Sequence, residues 1–433
     1  MENLLKFISE HADSDVSRLI LDKGKYPGID MSLAVNCIES RRKLKGKVQE
    51  WYANESLIFP FKLSAEQCSS SATGTYKTEV AAAIANESGA ESWNLADLTG
   101  GLGVDSWFFS KKAAKVVYNE MQTPLCDAAK HNFRSLGADN ITVVNSTITP
   151  GGCLDAILAV EGHIDIVYID PARRGEGGKK VFLIEECTPD VLTIKGEIFE
   201  HCRNLLIKLS PMADISMVCD RLGKRCREVH VVAAGGECKE LLIWMDRDWN
   251  EAYSVIAVEL HNDNTRSTVE FTPEDECIAG QQSSGGDMPP PARGCLSVAK
   301  TGVAGTTCCQ AAFIFEPGKS LMKAGCFNLI ASRFNLHKLG KSTHYYLTDS
   351  ADQAETLKQF GKVYQILECA QLDKRTIKEM GKKYPKAEVT ARNIPMDTDA
   401  LRKKLGITSG DDAHIFGLKS DSEGNLLFAA RRI

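Results

Sequence analysis

The sequence lacks the features that would place the protein in a membrane or outside the cell. No stretch approaches about eighteen consecutive apolar residues, and the first sixteen residues carry acids where a signal peptide needs an apolar core. The 15 cysteines include no Cys-x-x-Cys pair and no cluster with histidine at zinc spacing. We therefore expect a cytoplasmic protein with no membrane segment and no metal site.

A strong charge imbalance is also missing. The 52 basic and 57 acidic residues give a net charge of -5, which does not indicate nucleic acid as a partner for the whole chain. From residue 361 onward, however, 14 Lys and Arg stand against 10 Asp and Glu, so a modest anion-binding surface is expected there. A length of 433 residues predicts about two to four domains.

Residues 1 to about 62 predict a helical region, with one helix over residues 31–52. The middle of this helix carries basic residues, which fit either a solvated helix face or a contact with phosphate. They are Arg41, Arg42, Lys43, Lys45 and Lys47.

From about residue 93 the sequence alternates short apolar runs with helical stretches, which predicts a parallel sheet. The runs are WNLADL, KVVY, ITVV, IDIVYID and NLLIKL. The next two runs, EVHVVAA and KELLIWM, are joined by too few residues for a crossover helix and should form an antiparallel hairpin. Five parallel strands that end in such a hairpin are typical of the Rossmann-like sheet of class I methyltransferases, whereas a dehydrogenase sheet more often ends with another crossover.

The strand-to-helix turn NLADLTGGLGVDS is the first candidate site. Glycines allow a ligand to approach the backbone closely, so Gly101 and Gly103, with Thr99 beside them, are expected to line a cofactor. The turn alone also fits a dinucleotide site or a purely structural role. Asp97 favours S-adenosylmethionine (SAM) over a dinucleotide. A carboxylate suits the cationic amino group of SAM, whereas it would be avoided beside the pyrophosphate of a dinucleotide.

Two further side chains follow neighbouring strands. Glu120 ends the second strand about twenty residues after the glycines, where an acid can accept hydrogen bonds from both ribose hydroxyls. Asn145 follows the third strand, where an amide can meet the adenine edge or form a turn. A surface role for Glu120 is the alternative.

The segment Asp170-Pro171-Ala172-Arg173-Arg174 directly follows the fourth strand. Proline stiffens this loop, so Asp170 and its carbonyl can orient the N–H groups of an acceptor nitrogen toward the transferred methyl. Arg173 and Arg174 fit either substrate phosphate or acids in the chain.

Three residues outside these segments are candidates for ligand contacts. Tyr76 and Lys77 precede the first strand, and the sequence predicts a cofactor or base contact for Tyr76 and the SAM carboxylate for Lys77. An ordinary helix start is the alternative for both residues. Lys208, on the fifth strand, is expected to neutralise Asp170 or a phosphate.

These motifs resemble a known family. DLTGGLGVDS, YNE and IDPARRG are similar to class I RNA methyltransferases, and AEQCSSSATGTYKTE, FEPGKSLMKAGCF and the RNIP-containing tail extend the resemblance to bacterial SAM-dependent methyltransferases with a THUMP-like C-terminal domain. The resemblance implies four parts. They are a helical region (1–75), a SAM-dependent methyltransferase domain (76–262), a flexible insertion with a small ferredoxin-like segment (263–350) and a THUMP-like α+β domain (351–433) associated with RNA.

Departures from the family patterns bear on the reaction. The stretch DPAR also resembles uracil-C5 methyltransferases. Those enzymes need a cysteine nucleophile after the fifth strand, where this sequence has none, so methylation of uracil C5 is disfavoured. Ala172 and Arg173 replace the second proline and the aromatic residue of amino-methylating enzymes, although Thr99 resembles some guanine-N2 enzymes. We expect an exocyclic nitrogen of an RNA base as acceptor. The alternatives are an NAD-type oxidoreductase, a non-catalytic RNA-binding protein, and methyl transfer to a protein or small molecule.

Overall fold

The computed structural model describes residues 2–173, 184–284 and 311–433. By its internal contacts the chain forms two compact units. The first comprises Met1–Ala234 and Lys239–Tyr253, and the second comprises Gly235–Cys238 and Ser254–Ile433. The four predicted ranges divide the chain more finely than these two units, and the predicted boundary after residue 75 falls inside a helix.

Within the described residues, six α-helices precede the first strand. They are α1 (Glu2–Glu10), α2 (Val16–Leu21), α3 (Met31–Leu44), α4 (Gln49–Ala53), α5 (Lys62–Gln67) and α6 (Ser71–Glu87). Ser70 begins α6 through a capping box with Thr73. The single helix predicted over 31–52 is broken because Gly46 adopts a φ of +75°. None of the helices in the described ranges is both long and apolar enough to span a bilayer.

The basic residues of α3 and the turn after it are held by neighbouring helix ends. The guanidinium groups of Arg41 and Arg42 and the ammonium of Lys47 all donate hydrogen bonds to backbone carbonyls. Lys43 forms an ion pair with Glu66 at 3.3 Å. Much of this cluster therefore stabilises the helical region.

The N-terminal helices share one apolar core with the sheet that follows. Trp51 and Phe59 are fully buried, and the ring of Trp51 lies 6.1 Å from that of Trp107 in the first helix after β1 (Asn94–Asp97). Burial of one phenylalanine-sized side chain stabilises a fold by about 1.5–3 kcal/mol. The shared core explains why these helices and the sheet belong to one unit.

The first unit contains a sheet with helices between its strands. The strands after β1 are β2 (Lys115–Asn119), β3 (Ile141–Val144), β4 (Ile166–Ile169), the short pair β5 (Ala172–Arg173) and β6 (Cys187–Thr188), then β7 (Asn204–Leu209), β8 (Cys226–Ala234) and β9 (Glu237–Asp246). The helices are α7 (Val104–Ser110), α8 (Thr123–Ser135), α9 (Asp155–Leu158), α10 (Val191–His201) and α11 (Ile215–Leu222). β5 and β6 pair only with each other, and the remaining strands of this unit lie in the order β8-β9-β7-β4-β1-β2-β3.

The direction of these strands confirms the predicted sheet. The five strands β3, β2, β1, β4 and β7 are parallel neighbours, and β9 runs antiparallel to β7. Chain order reverses between β1 and β4, which opens a crevice at their carboxyl ends. The predicted ligand residues follow these same strand ends.

The second unit begins with the antiparallel strands β10 (Ser254–Leu260) and β11 (Arg266–Phe271). Its further helices are α12 (Pro273–Ser284), α13 (Lys319–Ala324), α14 (Phe327–Arg333), α15 (Ala351–Leu357), α16 (Lys374–Lys383) and α17 (Thr398–Leu405). Its further strands are β12 (Phe313–Pro317), β13 (His337–Lys338), β14 (Tyr346–Thr348), β15 (Gly361–Gln371), β16 (Lys386–Arg392), β17 (Thr408–Ser420) and β18 (Gly424–Arg432). They form one sheet in the order β13-β14-β12-β15-β18-β17-β16.

For the last seventy residues the sequence predicts the strands VYQILEC, EVTA, HIFGL and NLLFAARR and the helices LDKRTIKEMGKK and DTDALRKKL. The structure has these elements in the predicted type and order, from β15 to β18.

Upstream, residues 279–294 are rich in Gly, Ser and Pro, which predicts a flexible insertion or linker. This prediction is wrong at its start, because α12 continues to Ser284. Three acids in the first turn of α12 favour this helix, since they complement the positive end of its dipole. The rest of that predicted segment, residues 285–294, lies outside the described residues.

Candidate functional site

A cavity of about 770 Å³ lies in the first unit, where the loops after β1, β2, β4 and β7 converge. The segment from α5 to the start of α6 contributes a further part of its wall. The cavity brings together most of the residues predicted from strand ends. They are Asp97, Thr99, Gly101, Gly103, Glu120, Asp170, Pro171 and Lys208.

The glycine turn presents bare backbone to this cavity. Gly101 has a φ of +54°, and a Cβ built on it would meet only the carbonyl oxygen of Thr99, at 3.8 Å. A Cβ on Gly100 would instead lie 2.2 Å from the ring of Tyr118. The turn therefore packs tightly behind Gly100 and stays open in front of Gly101, so a ligand can approach the backbone there.

Glu120 is fixed at the end of β2 by the same turn. One carboxylate oxygen accepts a hydrogen bond from the amide of Gly101 at 3.0 Å, and the other accepts from the amide of Gln122 at 2.8 Å. An ionised carboxylate has about four acceptor positions, so both oxygens can still accept hydroxyl groups. These remaining acceptor positions suit the two hydroxyl groups of a ribose diol.

Asp97 is almost fully buried in the cavity wall. Its carboxylate accepts hydrogen bonds from the amide of Thr99 at 3.1 Å and from the hydroxyl of Ser106 at 2.6 Å. Burial nevertheless raises the pKa of Asp97 to about 7. A cationic group of a ligand beside it would favour the ionised form.

Asp170 is held at its backbone and at its side chain. Its amide donates a hydrogen bond to the Thr99 hydroxyl at 2.6 Å, and its carboxylate forms an ion pair with the ammonium of Lys208. Burial alone would lower the pKa of Lys208, but the carboxylates of Asp170, Asp105 and Glu240 outweigh it and raise the pKa. Lys208 therefore stays charged beside Asp170.

Asp105, in the first turn of α7, is a residue that the sequence reasoning missed. Its carboxylate accepts hydrogen bonds from the hydroxyl groups of Ser69 and Tyr168, and it lies 3.3 Å from the ammonium of Lys77 and 4.0 Å from that of Lys208. Burial would raise the pKa of Asp105, but the two lysines lower it. The signal that the sequence offered for Asp105 was its position two residues after Gly103, in the first turn of a helix, where an acid is favoured.

Asn119 was also missed, although it directly precedes Glu120 and lines the cavity. Its amide nitrogen donates to the carbonyls of Leu98 and Ser146, each at 3.1 Å, and its amide oxygen accepts from Ser146. It thus ties together the chain segments that follow β1, β2 and β3. The signal in the sequence was an asparagine at the end of an apolar strand, because a polar side chain that is buried there needs hydrogen-bond partners.

Tyr76 and Lys77 do not belong to the cavity lining. The hydroxyl of Tyr76 lies 2.7 Å from Nδ1 of His230. The ammonium of Lys77 is fully buried and lies 2.8 and 3.0 Å from the two carboxylate oxygens of Glu240. Both side chains of α6 thus point to partners behind the wall, and their predicted ligand contacts stay predictions.

The other predicted residues lie apart as well. Asn145 is outside the lining, and its amide nitrogen donates to the carbonyl of Glu120 at 2.7 Å, so its predicted adenine contact stays a prediction. Only the backbone of Arg173 is described, as part of β5. Arg174 lies outside the described residues, so the substrate contacts of both arginines stay predictions.

Comparison with known proteins finds similarity for the two C-terminal parts and for the chain as a whole. Residues 313–354 match the ferredoxin-like domain family, and residues 361–432 match the THUMP domain-like family. A crystal structure of a "putative methyltransferase" from Porphyromonas gingivalis W83 is similar over 99% of this chain and 97% of that chain, with 28% identity and a TM-score of 0.78. The chain is a class I methyltransferase with a THUMP-like C-terminal domain.

Other solved structures are similar to part of the methyltransferase only. An rRNA methylase from Streptococcus thermophilus has 14% identity and a TM-score of 0.27 over 36% of this chain and 87% of its own. TrmK of M. capricolum, in complex with S-adenosyl-homocysteine (SAH), has 14% identity and a TM-score of 0.28 over 37% of this chain and 64% of its own. No curated protein matches the sequence.

The cavity of this methyltransferase fits the cofactor of its class, SAM. The open backbone at Gly101 lets a ligand approach, Glu120 offers acceptors for a ribose, and buried Asp97 offers a carboxylate for an ammonium group. These three features lie at the ends of the neighbouring strands β1 and β2 and line one cavity, as the sequence predicts.

Proposed function

We propose that this methyltransferase transfers the methyl group of SAM to an exocyclic amino nitrogen of a base in RNA, with guanine N2 as the first candidate. The reducing cytoplasm predicted from the cysteine pattern is the proposed location. The observation that carries the proposal is the position of Asp170, which lines the same cavity as Asp97 and Glu120 and is held in place by Thr99 and Lys208.

The proposed mechanism divides the cavity into two ends. Asp97 and Glu120 hold the ammonium group and the ribose of the cofactor, which supplies an electrophilic methyl group when bound. Asp170 accepts hydrogen bonds from the N–H groups of the acceptor, so that the nitrogen lone pair faces the methyl. This is a positioning effect, since an amino nitrogen needs orientation more than a strong base. The ion pairs of Lys208 with Asp105 and Asp170 keep Lys208 charged and Asp170 in place.

Two observations support RNA as the substrate. The THUMP-like match covers residues 361–432, and such domains are associated with RNA binding. The same segment has an excess of basic residues over acidic residues, opposite in sign to the whole chain, which suits a phosphate backbone.

The proposal is tested with a deletion strain that carries wild-type protein, Asp170→Ala or the control Asp139→Ala, an exposed acid outside the cavity. Mass spectrometry of nucleosides from total RNA should show one methylated nucleoside that disappears on deletion. Wild type and Asp139→Ala should restore it, whereas Asp170→Ala should reduce it at least about 100-fold, because the acceptor loses its orientation.

Purified protein with radiolabelled SAM and RNA from the deletion strain gives the matching measurement in solution. Undiminished transfer by Asp170→Ala would refute the role of Asp170. An unchanged set of RNA nucleosides in the deletion strain, with no transfer to its RNA, would refute RNA as the acceptor and favour a protein or a small molecule.

A further inference from the structure

The hydrogen-bond ladder between β1 and β4 ends irregularly at the cavity. The amide of Leu98 donates to the carbonyl of Tyr168 at 3.0 Å, as in a regular parallel ladder. In the next rung, the amide of Asp170 would donate to the carbonyl of Leu98. That carbonyl instead accepts a hydrogen bond from the side chain of Asn119 at 3.1 Å.

The Thr99 hydroxyl takes the place of the missing backbone acceptor. The amide of Asp170 donates to Oγ1 of Thr99 at 2.6 Å, which is the shortest link between the glycine turn and the loop after β4 among the described residues. The amide of Thr99 in turn donates to the carboxylate of Asp97 at 3.1 Å. One residue therefore contacts both the acid assigned to the cofactor and the acid assigned to the acceptor.

The side chain of Asp170 is fixed independently of this bond. Lys208 pairs with Oδ2, and no described residue donates a hydrogen bond to Oδ1. The bond from Thr99 thus sets the backbone of Asp170, and the pair with Lys208 sets its carboxylate. Among the described residues, Oδ1 therefore remains available to an acceptor N–H group.

We propose that Thr99 is a positioning residue for Asp170. The Thr99 hydroxyl replaces the carbonyl of Leu98 as the acceptor for the Asp170 amide, and Asp170, held in this way, orients the methyl acceptor. The proposal rests on the proposed function, because Asp170 must act on an acceptor. Threonine suits this role because its branched Cβ restricts χ1. A glycine at this position would leave the amide of Asp170 without this acceptor.

The test compares Thr99→Val, which keeps the shape but removes the hydroxyl, with Thr99→Ser, which retains the hydroxyl. For Thr99→Val we expect kcat for RNA methylation to fall on the order of 10-fold to 100-fold, with KM for RNA and Kd for SAH within about 2-fold of wild type. Thr99→Ser should stay within about 3-fold of wild type in all three constants. Thermal unfolding of both variants serves as the control for folding.

A second readout does not depend on activity. Hydrogen exchange, measured by mass spectrometry on peptides spanning residues 166–173, reports the amide of Asp170, and Pro171 contributes no amide hydrogen. Exchange at Asp170 should become faster in Thr99→Val and remain as in wild type in Thr99→Ser. Unchanged exchange in Thr99→Val would overturn the contact itself.

The remaining outcomes also separate the two proposals. Faster exchange with unchanged kcat would overturn the positioning role, and weaker SAH binding with unchanged kcat would make Thr99 a cofactor contact instead. If wild-type protein methylates no RNA, the proposed function fails, whereas the exchange measurement still decides whether Thr99 holds Asp170.

Discussion

Two pairs of lysine and carboxylate lie within a few ångströms of Asp105, and they differ in their access to the cavity. Lys77 and Glu240 are sealed in the core, with side chains 0% and 4% exposed. Lys208 and Asp170 open into the cavity, with side chains 13% and 38% exposed. The same chemistry is therefore sealed from ligands in the first pair and accessible to them in the second.

The energetic consequences of this difference follow from solvation. A charge left without its partner in the core cannot be hydrated, so its desolvation cost is not compensated. A charge at the cavity can be hydrated or can bind a ligand instead, so loss of its partner changes stability much less. Loss of the lysine should thus mainly lower stability in the first pair and mainly lower activity in the second.

The largest effect is expected for Lys77→Met. Removal of the ammonium leaves Glu240 without its cation and weakens the pairing of Asp105, so the free energy of unfolding should fall by about 3–5 kcal/mol. Urea denaturation measures this change. The surface pair of Lys115 and Glu161 provides the control, because Lys115→Met should cost less than about 1 kcal/mol.

The double variant Lys77→Met, Glu240→Met keeps this prediction decisive if the single variant does not fold. It should recover most of the lost stability, because no unpaired glutamate remains in the core. Binding of SAH to the double variant should equal that of wild type. A loss of SAH affinity with full stability would instead establish the contact to the SAM carboxylate that the sequence predicts for Lys77.

For Lys208→Met we expect a smaller loss of stability and, in contrast to the first pair, a loss of activity. The carboxylate of Asp170 stays hydrated, and Asp105 loses Lys208 but keeps Lys77, so the free energy of unfolding should fall by less than in Lys77→Met. The carboxylate loses its fixed orientation, so kcat for methyl transfer should fall about 10-fold to 100-fold. Kinetics and urea denaturation of the same preparation test both halves, and a large loss of stability would contradict the distinction between the two pairs.

The same contrast explains which parts of the site could be predicted from the sequence. Gly101, Glu120 and Asp170 follow strands directly, and parallel strands bring their carboxyl ends together, so local patterns were sufficient. Lys77 pairs with a residue 163 positions away, on β9. No local pattern shows which partner meets such a side chain, so the burial of Lys77 could not be foreseen.

The fold shows a similar division. The elements β15 to β18 were predicted because turns and amphipathic helices mark their ends, and the sheet of the first unit because its apolar runs alternate with helices. The division into units was not foreseen, because it depends on contacts between distant segments. Trp51 and Trp107, which join the N-terminal helices to the sheet, are 56 residues apart in the chain.

Asp97 is a further buried acid of the same cavity, and it differs from the carboxylates of both pairs. Among the described residues, no lysine or arginine forms an ion pair with it. The lysines lower the pKa of Asp105, whereas burial raises that of Asp97 to about 7. Between pH 4 and 7 the folded protein therefore binds more protons at Asp97 than the unfolded chain does. The contribution of Asp97 to stability is present at low pH and is lost as the pH rises through about 7.

The smallest predicted effect concerns Asp97→Asn, which removes this titration. The unfolding free energy of the variant should fall less than that of wild type between pH 5 and 8, in urea titrations at each pH. In wild type, binding of SAH by calorimetry should tighten about 10-fold from pH 6 to 8, because only ionised Asp97 attracts the ammonium group of the ligand. The affinity of Asp97→Asn should be weaker at pH 8 and should lack this rise. An equal rise in both proteins would show that the ammonium group of the ligand does not bind at Asp97.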